Sequence, residues 1–108
     1  MINRFSVPSL YKSTIHLVKV ASNKIQPDLV LSNAKILSTY SERLLPNKEL
    51  WISKGRIACI KETGEAEKIF NIKNFDVVDI EDNILAPGLI DPHMHIESSM
   101  MTGCAYAE

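Results

Sequence analysis

The stretch PGLIDPHMHIESSM, residues 87–100, sets two histidines one residue apart inside an apolar run flanked by carboxylates. Whether it is extended or helical decides what the chain can be. Along a strand successive side chains alternate between faces, so His93 and His95 share one face and Met94 takes the other. Their Cα atoms then lie about 6.5–7 Å apart, and one cation can take a nitrogen from each at about 2.1 Å. On a helix the same positions stand about 200° apart around the axis, and the pair cannot chelate. Leu89 and Ile90, entered from the Pro87–Gly88 turn, read as a buried strand. Pro92 donates nothing to a ladder, which places the histidines where that strand ends. In a parallel α/β sheet the carboxyl end is where ligands bind.

Two readings of the pair stand side by side. A His-x-His of this kind serves either as half of a metal site or as two ordinary hydrogen-bonding imidazoles. Asp91 and Glu97 bracket the pair and favour the first reading, because a carboxylate accepting the distal ring N–H is the usual orienting partner of a ligating histidine. Two ligands are still only half a site, since zinc typically takes three from protein plus water.

The same run resembles the first barrel strand of the amidohydrolase superfamily, whose signature is Asp-x-His-x-His after Pro-Gly, and its tail HIESSM is similar to that of the adenine deaminase family within it. The segments PDLVLSNAKILS (27–38), ELWISKGRIACI (49–60) and DVVDIEDNILAPG (76–88) resemble the β-rich N-terminal part of such enzymes. The resemblance implies hydrolytic loss of ammonia from adenine, with a divalent ion, iron or manganese and alternatively zinc, at the mouth of a barrel. It implies His93 and His95 as metal ligands, Asp91 as an orienting carboxylate, and Glu97 and Ser98 as substrate contacts. The remaining ligands and the catalytic acid and base belong to later strands of the family's barrel. A (β/α)₈ barrel takes about 250 residues, whereas this chain has 108. The expectation is therefore an N-terminal fragment of a metal-dependent adenine deaminase, itself inactive, with metal binding weak or absent. Two alternatives remain: a self-associating β-rich binding module without catalysis, and a relative of the hydantoinases or dihydroorotases acting on a cyclic amide.

Composition agrees with one small globular domain. The chain is 45% hydrophobic and 23% charged with a net charge of −1, which implies neither a nucleic-acid nor a membrane partner. Adenine is the implied small-molecule partner, and a homo-oligomer is expected because half a sandwich leaves apolar surface unpaired. Cys59 and Cys104 lie far apart and outside any C-x-x-C pattern, so a reducing, cytoplasmic setting is expected. Cys59 reads as a buried strand residue, and Cys104 as a thiol near the histidine strand.

Three segments are expected. Residues 1–24 carry Arg4, Lys12, Lys19 and Lys24 with no acid. Leu10, Thr14, Leu17, Val18 and Ala21 recur there at helical spacing with Ser6 or Ser9 as cap. The segment reads as a leading helix packed on the β-rich part, or alternatively as an amphipathic transit-type helix; His16 is a solvated position on it. Residues 25–86 read as a partial β-sandwich of about six strands. Its hairpins turn at Ser32–Asn33, at Lys54–Gly55 and at Glu81–Asn83. ERLLPNK (42–48) and KETGEAEKIFNIKN (61–74) read as loops, the second holding a helical turn. Trp51 reads as a core aromatic. Residues 87–108 read as the first strand and the start of the first helix of an incomplete (β/α)₈ barrel, with Thr102 as the helix cap. The fold class is mainly β.

Overall fold

A computed structural model describes residues 7–88. Within them lie helix α1 (Leu10–Ala21), strands β1 (Leu29–Ser38), β2 (Arg43–Ser53) and β3 (Arg56–Glu62), a short helix α2 (Glu65–Ile69), a 3₁₀ turn (Ile72–Asn74), and strands β4 (Asp76–Asp79) and β5 (Ile84–Leu85). The strands form one mixed sheet in the order β3-β2-β1-β4, with β5 also paired to β1. The domain is β-rich with an N-terminal helix, as expected. Its strands make a single sheet among the described residues, five strands where about six were expected.

Ser9 caps α1 by accepting from the Lys12 amide, and the exposed Ser22 hydroxyl donates back to the Val18 carbonyl at the other end. The helix buries Ser13, Leu17 and Val20. Leu10 and Val18, expected on the packed face, are exposed. Apolar residues are spread around more than the docked face, with Lys12 and Lys19 among the exposed positions, and spacing alone picked a stripe rotated away from the one that docks. Val20, Val30, Trp51, Ala66 and Phe75 form the core cluster. Helices and sheet therefore meet on one face, around a fully buried indole. The Phe70 ring stands edge-on to it at 6.0 Å between centroids. The Lys61 ammonium lies 5.3 Å from the Trp51 ring centroid and donates to the Ala21 carbonyl at the end of α1.

The hairpin at Lys54–Gly55 forms as expected. Both residues take positive φ, 52° and 75°, the backbone that a two-residue turn between twisted strands requires. The other two expected hairpins do not form. Ser32–Asn33 lies inside one continuous β1, where the β1–β2 register shifts between Leu31 and Ala34. Asn33 does adopt positive φ, 55°, but the left-handed residue makes a bulge opposite Glu49 instead of a turn. The actual reversal falls at residues 39–42, where the Ser41 amide donates to the Ser38 hydroxyl. ERLLPNK accordingly belongs to β2, except for its first residue. Pro46 and Asn47 sit at a second register shift, where two β2 residues face Lys35. An extra residue leaves the ladder interrupted there, and a proline costs no pairing bond.

The third expected hairpin fails for a related reason. β4 and β5 pair with β1, both in parallel, and not with each other. Glu81 and Asp82 take positive φ of 57° and 61°, and the step between the strands stays bonded along β1. The Ile80 amide donates to the Ser32 carbonyl, Asp82 to Asn33, and the Lys35 amide to the Asn83 carbonyl. The chain thus sidesteps the Asn33 bulge and rejoins the same strand edge. Of the expected loop 61–74, the helical turn is present as α2. One amide of its first turn is met by the buried Glu49 carboxylate, which accepts from the Ala66 N–H at 2.9 Å.

Candidate functional site

On the face of the sheet opposite Trp51, Leu31, Ile36, Leu50, Ile57 and Ile60 line an open apolar groove of about 320 Å³. Strand alternation puts them there. Val30 and Trp51 are cross-strand partners on the core side, and Leu31 and Leu50 are their neighbours on the other. Leu85, Ala86 and Pro87 close one end of the groove. The PGLIDPHMHIESSM run therefore starts at that rim, because its first residue, Pro87, is part of the lining. β5 sets this position: Lys35 pairs with Ile84 and Ile36 with Leu85, carrying the chain out along the second half of β1.

The sequence-predicted site residues, His93, His95, Asp91, Glu97 and Ser98, lie outside the described residues, as do the expected barrel strand, Cys104 and Thr102. Among the described residues no three of His, Cys, Asp and Glu come close enough together to hold a metal ion. Nor is any helix among the described residues long and apolar enough to cross a membrane.

Two polar features of the described part were not visible in the sequence. His16, expected to be solvated, is half-buried, and its Nε2 lies 2.7 Å from the Ser53 hydroxyl. This bond ties α1 to the end of β2, and Ser53 itself is fully buried. No periodicity signals a contact between positions 37 residues apart. Glu49 is the second feature, a buried carboxylate in the middle of a strand, given away only afterwards by the N-terminus of α2 that it caps. Cys59 is half-buried, as its place in β3 suggested. Burial pushes its thiol above the ordinary value against the opposing pull of Lys61, with Glu65 and Glu49 adding to the rise. These groups hold the fold; nothing about them presents a reactive atom to the groove.

No family model matches the chain. Curated proteins do. The chain is 51% identical over 107 residues to an adenine deaminase of a Bradyrhizobium species, covering 99% of this chain and 18% of that protein. It is 50% identical over 107 residues to an adenine deaminase of a Chelativorans species, covering 17% of it. A Staphylothermus marinus adenine deaminase is 37% identical over 94 residues, covering 87% of this chain and 15% of that protein. The chain thus corresponds to the N-terminal part of these proteins and spans less than a fifth of their length. A crystal structure of a Bacillus thuringiensis protein, 27% identical, covers 65% of this chain and 90% of that one with a TM-score of 0.42.

Proposed function

We propose that this chain is the N-terminal segment of a metal-dependent adenine deaminase of the amidohydrolase superfamily, acting on adenine and water to give hypoxanthine and ammonia. The observation that carries the reading is the 51% identity over 107 residues to a curated adenine deaminase. In this reading the described domain is a platform. β5 delivers the chain at Pro87, and the segment that follows supplies His93 and His95 as ligands of iron, manganese or zinc. Asp91 orients a ligating imidazole through its second nitrogen. Glu97 and Ser98 contact the purine. The metal, when bound, supplies a water acidified towards neutrality. The chain by itself is inactive, because the other ligands and the proton-transferring groups come from later parts of the longer enzyme. The whole enzyme works in the cytoplasm as a homo-oligomer.

The test joins this chain in place of the matched segment of the Bradyrhizobium relative and measures ammonia release from adenine and from a hydantoin. The reading expects adenine turnover by the chimera and its loss in His93→Ala and His95→Ala, with bound metal reduced in both. Turnover of the hydantoin alone would move the chain to the cyclic amidohydrolases. The 108-residue chain, dialysed, is expected to carry less than stoichiometric metal, since two-ligand sites lack the chelation that fixes geometry.

A further inference from the structure

We draw no further inference here: the strongest candidate, the open apolar groove on the sheet face opposite Trp51, lined by Leu31, Ile36, Leu50, Ile57 and Ile60 and ending at Pro87, is an unpartnered face, and nothing in the structure shows what covers it.

Discussion

Trp51 carries the heaviest load of any single residue, being fully buried among α1, α2, β1 and the segment before β4. Truncating a buried tryptophan to alanine costs about 3–5 kcal/mol, against a total stability of about 5–15 kcal/mol for a domain. Trp51→Ala is expected to lose cooperative urea unfolding. Trp51→Phe should keep a folded domain, because the indole N–H has no hydrogen-bond partner among the described residues. The His16–Ser53 bond is a smaller term. Ser53→Ala should lower stability by about 1 kcal/mol, and a double-mutant cycle with His16→Ala should show coupling between the two sites. Cys59 gives a pH dependence with a definite sign. Its thiol titrates above the ordinary value in the folded chain because burial disfavours the thiolate. The contribution is complete below the ordinary thiol value and is lost as pH rises through the folded one. Urea midpoints of the native chain should therefore fall in that alkaline window relative to those of Cys59→Ala, and equal losses in both would refute the assignment.

Turn chemistry governs the elements, and it was legible only in part. The Lys54–Gly55 hairpin could be read from the sequence because its glycine, its two-residue length and its flanking alternation all agree. Replacing Lys54, whose φ is 52°, by asparagine should raise stability by a few tenths of a kcal/mol, because asparagine adopts that backbone more readily. Asn33 carries the same local signal and gives a bulge. The difference is non-local: β1 has partners on both edges, so continuing the strand keeps more backbone bonds than reversing at residue 33 would. Pro46 misled for the same reason, its missing donor being harmless at a bulge. Glu49 was unreadable because its reason for being buried, the α2 N-terminus, lies 17 residues away. Glu49→Ala should cost about 1–2 kcal/mol and loosen α2, measurable as faster amide exchange at Lys68 and Phe70. As for the candidate site, its residue types and spacing were legible in PGLIDPHMHIESSM; its geometry falls beyond Gly88.

At the scale of the molecule, the two faces of the sheet differ in kind. One is closed by helices over Trp51, and the other is the open groove that ends at Pro87. Leu50 sits on the groove side and is only partly covered. Leu50→Ser should therefore cost less than Val30→Ala on the closed side, when both are compared by urea denaturation. The parallel pairing of β5 with β1 has a mechanical corollary. If the chain is stretched between its two ends, β1 is drawn from its beginning and β5 from its finish, in opposite directions. The bonds joining them lie across the line of tension and are strained together, not one after another as in a zipper. Once α1 has peeled away, this short clasp is where a pulled molecule should resist extension.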